Sequence, residues 1–353
     1  MKLVLIFIIC FLGSLSAVAQ PDSVQYELHD TTRYEWFHNH LCIGIFQSNR
    51  NYTLTMNQNF HPDERNHTEI KYRDNAKAVT GIALDFDKIA LNIGFKTRQD
   101  DVTQKGKTSV NNIGLVVGRT KLFASVFYRK YEGFYDMNTA NHDSLFGTGT
   151  PFYQAPDLRN TTYRAKVTYF PNWKKFSIKS TFSAGFRQLK SAGSLALNAG
   201  LYHNTLSADT SFIPPAQRQY YDSYADINYL RTMSAGLGAG GSYTIVFFKK
   251  LFLNATGIIN SELQWRKYDF YTNDGFTAAY LKFDLEGRAA LGFSSSRLFI
   301  SLNATNDIDL LTNSTFEFES AFSNITFVIS YRFAIKKNPV TSYIKDNKIY
   351  KKL

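Results

Sequence analysis

Cysteine is almost missing from this 353-residue chain, which has only Cys10 and Cys42. Cys10 lies in an N-terminal apolar run with the layout of a cleaved signal, so Cys42 is left alone. A lone cysteine forms no internal disulfide, which excludes oxidative stapling of the fold. Long hydrophobic runs are missing as well. Beyond the first residues nothing approaches 18 consecutive apolar positions, so a helical membrane span is excluded. A phosphate-binding loop is excluded too. Gly236, Gly238 and Gly240 cluster, but neither a helix pattern nor a Lys-Ser/Thr pair follows them. The spacing of His61, Asp63 and His67 matches no ligand set for zinc, so neither a metal nor a cofactor is expected.

Aromatic residues are what the chain has in excess. They make up 16%, with 30 Phe and 22 Tyr, while the mean hydropathy is slightly negative at −0.26. A membrane β-barrel needs both at once, because aromatic girdles ring its outside and polar side chains fill its inside. The N-terminus has the three parts of a secretory signal. Lys2 is the positive region, Leu3 to Leu12 the apolar region, and Ala17-Val18-Ala19 the small-x-small site, so cleavage before Gln20 is expected. The formal charge is +11, or +10 once Lys2 has left. In an exported chain such basicity points to anionic lipid headgroups or small anionic solutes, and not to nucleic acid.

Period-two alternation dominates from about residue 78 onward. From Tyr280 to Phe293, Leu281, Phe283, Leu285, Gly287, Ala289 and Leu291 share one face, while Lys282, Asp284, Glu286 and Arg288 share the other. A strand sorts these charges onto one side, whereas a helix would scatter them. Similar alternation covers 251–266, 163–169, 176–187 and 325–333. Short connections near 86–88, 118–121, 171–175, 248–250 and 294–297 alternate with long polar ones near 97–108, 133–160, 204–229, 267–277 and 307–319. That asymmetry belongs to outer-membrane barrels, with tight periplasmic turns and long external loops.

The expected architecture is therefore an all-β, transmembrane, antiparallel up-and-down barrel of about twelve strands with both termini periplasmic. The first strand falls near 41–56 and the last at 324–334. An even count requires 176–203 to be one long strand, broken by a bulge around Ser191 to Gly193. The expected organisation is a signal at 1–19, a periplasmic lead-in or plug at 20–39, the barrel at 40–335 and a basic periplasmic tail at 336–353. A soluble β-sandwich or an eight-stranded secreted barrel is the second architecture. Trp173 and Trp265 fall where an interfacial girdle is expected. Phe327-x-Ile329-x-Tyr331-x-Phe333 resembles the aromatic-ended last strand read by the barrel-assembly machinery, an expected partner during insertion.

Several stretches resemble a Bacteroidota outer-membrane family of unknown function, DUF 4421. They are Tyr128-Arg129-Lys130-Tyr131-Glu132-Gly133-Phe134-Tyr135, Gln188-Leu189-Lys190-Ser191-Ala192-Gly193-Ser194 and Arg231-Thr232-Met233-Ser234-Ala235-Gly236. Tyr72-Arg73-Asp74-Asn75, followed by Gly81, resembles an early Tyr-x-x-Asn feature, with Asp where the family has Pro. The resemblance spans most of the mature chain. It implies a barrel and no assigned activity, so no functional residue is carried over.

The candidate site is a basic lumen. Lys96, Arg164, Lys166, Lys179, Arg187, Arg266, Lys282, Arg288 and Arg332 fall on inward faces, against Glu262, Asp284 and Glu286. A wet lumen of this charge would draw anions in. Alternatively, Lys282, Asp284, Glu286 and Arg288 pair with Glu262 and Arg266 across strands and fill a closed interior. Three functions follow. The first is a pore for small anionic solutes. The second is a non-conducting surface barrel whose loops bind a partner or support envelope assembly. The third is an outer-membrane hydrolase using His203 with Ser207 and Asp209. No lipase signature surrounds His203, so no enzyme is expected.

Overall fold

The computed structural model describes residues 29–58, 68–143, 146, 149–272, 274–312 and 316–335. The signal at 1–19, the His61–His67 segment and the basic tail at 336–353 lie outside the described residues.

Twelve strands close into an antiparallel barrel: β2 (His40–Gln58), β4 (Ala76–Phe86), β5 (Ile89–Gln99), β6 (Ser109–Gly118), β7 (Leu122–Asp136), β8 (Gln154–Tyr169), β10 (Ala192–Ser207), β11 (Ile227–Phe247), β12 (Leu251–Phe270), β13 (Phe276–Ser294), β14 (Leu298–Thr312) and β15 (Phe316–Ala334). Each pairs with the next, and β15 pairs with β2 along its whole length, from Ala334 opposite His40 to Phe316 opposite Gln58. Closure leaves the ring of twelve with no free edge. Three short strands lie outside the ring order: β1 (Tyr34–Trp36), β3 (Ile70–Arg73) and β9 (Phe186–Gln188).

The expected alternation places side chains as a barrel requires. On β13, Leu281, Phe283 and Leu285 point outward and are exposed, while Lys282, Asp284 and Glu286 are buried inside. Ile45, Ile82, Ile93, Ile113, Leu195, Leu237, Ile259 and Ile325 carry the apolar exterior around the circumference. In water each such side chain would forgo about 1.5–3 kcal/mol of burial. A continuous apolar belt of this kind is a lipid-facing surface.

The barrel has two different rims. His40 and Ala334 lie on the same one, because the strand count is even. Tight turns gather at this rim. At the β11–β12 hairpin, Phe248 and Lys249 both have positive φ, 51° and 57°, and the Lys250 amide donates to the Phe247 carbonyl at 3.1 Å. Only that left-handed pair matches the twist of the two flanking strands across so short a turn. We call this the turn rim and the opposite one the loop rim.

The single long strand expected over 176–203 is not formed. β10 begins at Ala192, and 170–191 leaves the wall and folds into the turn rim, with Ile178–Thr181 in a 3-10 turn. Ser180 and Thr181 donate their hydroxyls back to the carbonyls of Ser177 and Ile178, at 2.7 and 2.8 Å. Such local bonds compete with a strand ladder. From Phe176 to Gln188 no residue is exposed on either face, so its Phe and Ile alternation meets protein and not lipid. β9 within it pairs with β1, Trp36 opposite Phe186, and the Trp36 ring stacks on Phe186 at 5.9 Å. The connection expected as a tight turn at 171–175 is thus the entry to a plug.

Near the loop rim, 69–73 does not extend the second barrel strand. β3 stands apart, bonded to β2 and to Asp136–Tyr135 of β7. The Asp74 carboxylate breaks the run by accepting from the amides of Tyr52, at 2.8 Å, and Ala76, at 3.2 Å. The β10–β11 connection, 208–226, turns inward over this rim and forms its cap. Phe212, Ile213, Tyr221 and Tyr224 pack there against Leu54, Met56, Tyr72, Leu158 and Leu206.

Candidate functional site

Between plug and cap lies a cavity of about 290 Å³, near the lower limit of ligand pockets. The wall supplies Arg50 from β2, Arg129 from β7, Arg164 and Lys166 from β8 and Arg288 from β13. Among the described side chains the lining carboxylates are Asp85 of β4 and Glu286 of β13, so five cations face two carboxylates there.

Glu286 is the hub, only 1% exposed. Lys166 Nζ forms an ion pair with its Oε2, Arg288 Nη2 lies 2.5 Å from its Oε1, and Arg164 Nη2 is 3.8 Å from its Oε2. All three cations thus converge on one carboxylate. Arg288 keeps 40% of its side chain exposed inside the barrel. Across the cavity, the Arg129 guanidinium lies over Phe322 at 3.8 Å and Phe127 at 4.4 Å, a cation–π arrangement. Arg50 is buried, donates Nε–H to Ser48 Oγ at 3.2 Å, and lies beside the Tyr131 hydroxyl. Guanidinium groups on a cavity lining suit an anion, which they bind by charge-assisted hydrogen bonds. Among the described residues no group of three His, Cys, Asp or Glu converges to hold a metal ion.

The other expected lumen residues go elsewhere. Lys282 and Asp284 are buried on β13, where Asn260 donates to Asp284 at 2.8 Å. Glu262, opposite Lys282 in register, accepts from Ser234 at 2.7 Å and Gln264 at 3.2 Å. Arg266 lies under the cap, against Tyr280 and Phe318. Lys96 donates to the Thr108 carbonyl near the loop rim. Lys179 and Arg187 belong to the plug and not to a strand, so neither lines the cavity. Lys179 Nζ caps the Gly118 carbonyl at 2.8 Å, and burial lowers its pKa to about 8. Arg187 pairs with Glu35 at 3.2 Å and donates to the Lys249 carbonyl at 2.8 Å. Arg332 faces inward on β15 but clamps the plug, donating to the carbonyls of Ala184 at 2.5 Å and Phe186 at 3.3 Å.

Sequence reasoning missed Arg50, Arg129 and Asp85. Arg129 adjoins Lys130, so alternation alone left open which cation points inward. Arg50 sits in the polar run from Gln47 to Asn51, where neither face is apolar. His203 lies against Tyr163 with ring centroids 5.9 Å apart, on the outward face of β10, and Asp209 pairs with Arg159 at 3.3 Å. His203 therefore lies away from the cavity.

A family model described as "Domain of unknown function (DUF4421)" matches residues 29–333. No curated protein matches the chain. Among solved structures, the outer membrane protease OmpT of Escherichia coli aligns at 6% identity over 85% of this chain and 98% of that one, with a TM-score of 0.40. The toluene transporter TodX of Pseudomonas putida aligns at 11% identity over 83% and 89%, with a TM-score of 0.28. The translocator domain of the autotransporter NalP from Neisseria meningitidis aligns at 11% over 84% and 90%, with a TM-score of 0.32. Likeness at this level says nothing about activity.

Proposed function

The chain belongs to the family described as a domain of unknown function (DUF4421), and we propose that it acts as a gated outer-membrane barrel for small anionic solutes. In this reading the turn rim and both ends of the strand ring face the periplasm, and the long connections face outward. One observation carries the anion preference: among the described side chains, five cations stand against two carboxylates around the cavity, with three of the cations sharing Glu286. A charged cavity with low-dielectric walls concentrates counter-ions. Passage requires the plug to withdraw, because 170–191 fills the turn rim beneath the cavity.

Reconstitution in planar bilayers tests this reading. Wild-type protein should give rare openings selective for chloride over potassium. Arg288→Glu, which changes a partly open cavity cation, should invert or abolish that selectivity. Complete absence of conductance, in wild type and in a plug-weakened Arg332→Met variant, would sink it. A second reading is a filled, non-conducting barrel that displays its loops to a partner, and the aromatic cap over the loop rim favours it. It predicts silence in the same bilayers and a phenotype that follows the loop sequences.

A further inference from the structure

The cavity lining is divided along the barrel axis. Toward the turn rim it is mainly apolar, built from Phe123, Phe170, Ile178 and Phe182, and the Asp85 carboxylate at that end is taken up by Ser183 and Ala184 of the plug. Ile178 and Phe182 come from the plug, so the floor exists only while the plug is docked. Toward the loop rim the lining is cationic. β7 records the gradient on a single inward face: Phe123, Ser125, Phe127, then Arg129.

From this division we infer that the occupant is an amphipathic organic acid, with its carboxylate at Arg50, Arg129 and Arg288 and its apolar body on the plug. The inference rests on the anion reading above and narrows it to a ligand class. An inorganic anion satisfies the arginines but leaves the phenylalanine floor against water. A neutral apolar compound covers the floor but brings no charge to Arg288, which keeps 40% of its side chain exposed and shares Glu286 with Lys166 and Arg164. A charged head paired there makes charge-assisted hydrogen bonds, which are stronger than neutral ones. Only a molecule with both a charged head and an apolar body answers both ends. Because its body rests on Ile178 and Phe182, such a ligand also holds the plug shut until it leaves.

Calorimetric titration of the full barrel in lipid nanodiscs, with empty nanodiscs subtracted, tests this with three probes. 3-Phenylpropionate carries head and body, inorganic phosphate the head alone, and 3-phenylpropanol the body alone. 3-Phenylpropionate should bind at least tenfold more tightly than either of the others. Phe182→Ser should weaken it about fivefold or more and leave phosphate within twofold, and Ile178→Ser should repeat the result if the first variant fails to insert. Arg50→Gln should weaken both anions. Equal affinity for phosphate and 3-phenylpropionate, unchanged by both floor variants, overturns the inference and leaves an anion passage standing. So does tighter binding of 3-phenylpropanol than of its acid. Binding of neither anion to a folded barrel overturns the inference too, and anion-selective conductance in bilayers then decides whether the broader function survives.

Discussion

The barrel is closed at its two rims by different physics. At the loop rim, 208–226 lays Phe212, Ile213, Tyr221 and Tyr224 into an apolar mass with Tyr52, Leu54, Met56, Tyr72 and Phe318. Its polar contacts only complete that burial: Tyr72 donates to the Phe212 carbonyl at 2.6 Å, and Tyr221 Oη lies 2.7 Å from the Thr68 carbonyl. At the turn rim the apolar cluster is small. Directed polar contacts hold the plug: Asp85 accepts from Ser183 at 3.0 Å and the Ala184 amide at 2.9 Å, Arg332 caps two plug carbonyls, and Lys179 caps the Gly118 carbonyl. Apolar burial is roughly additive and tolerant of small shifts. Hydrogen bonds to buried charges depend on geometry and are lost together when the segment moves. The cap therefore behaves as a permanent wall and the plug as the part able to release.

The largest expected effect is in the cap. Phe212→Ala should cost about 3–5 kcal/mol of unfolding free energy, as aromatic truncations in packed cores do. Urea unfolding of the reconstituted barrel would show it, and a loss below about 1 kcal/mol would mean the cap is not a core. At the plug, Arg332→Met should cost about 1–3 kcal/mol, because it leaves buried carbonyls bare. The effect should be local. Cys42 is fully buried between Arg332 and Asp85 in register, so faster thiol labelling there reports plug release. Slower unfolding with unchanged labelling would contradict the division between the two rims.

A smaller effect comes from pH. Burial lowers Lys179 to about 8 from its ordinary 10.5, and Lys88 beneath it is lowered likewise by burial to about 8. Between those values a released plug binds protons that the docked plug does not. Docking should therefore strengthen as pH rises from about 8 toward 10.5, by at most about 1.4 kcal/mol per pH unit for each proton, with no change below pH 8. Amide protection factors of Ser183 to Gln188, corrected for intrinsic exchange, should rise over that window while those of Phe212 and Ile213 stay flat. The least effect is expected at the cap's edge. Arg159 is 40% exposed and pairs with Asp209 at 3.3 Å, so Arg159→Ala should cost about 0.5 kcal/mol or less in the same urea titration.

Much of the wall was legible in the residues. The charges of β13 and β12 sort by period two, and no other regular structure puts Lys282, Glu286 and Arg288 on one side and Leu281 and Leu285 on the other. The plug was not legible, because Phe176, Ile178, Phe182, Ala184 and Phe186 alternate as a lipid-facing strand would. Only the hydroxyls of Ser177, Ser180 and Thr181, and their appetite for local backbone bonds, hinted otherwise. The cavity was half legible. Arg164, Lys166, Glu286 and Arg288 stand in alternating segments, but Arg50 and Arg129 lie where both faces are polar, and periodicity gives no direction there.

Strand count, closure and the sidedness of most residues thus came from local order alone: alternation is a property of neighbours in the chain, and an even number of passes returns the chain to the rim it left. Whether the barrel is open or filled came from nothing local. Segments 170–191 and 208–226 turn inward because their backbone carbonyls and apolar side chains find partners on strands more than a hundred residues away, as the Ala184 carbonyl does in Arg332 and the Phe212 carbonyl in Tyr72. A cation excess spread along the sequence became a site only where closure brought β2, β7, β8 and β13 around one cavity.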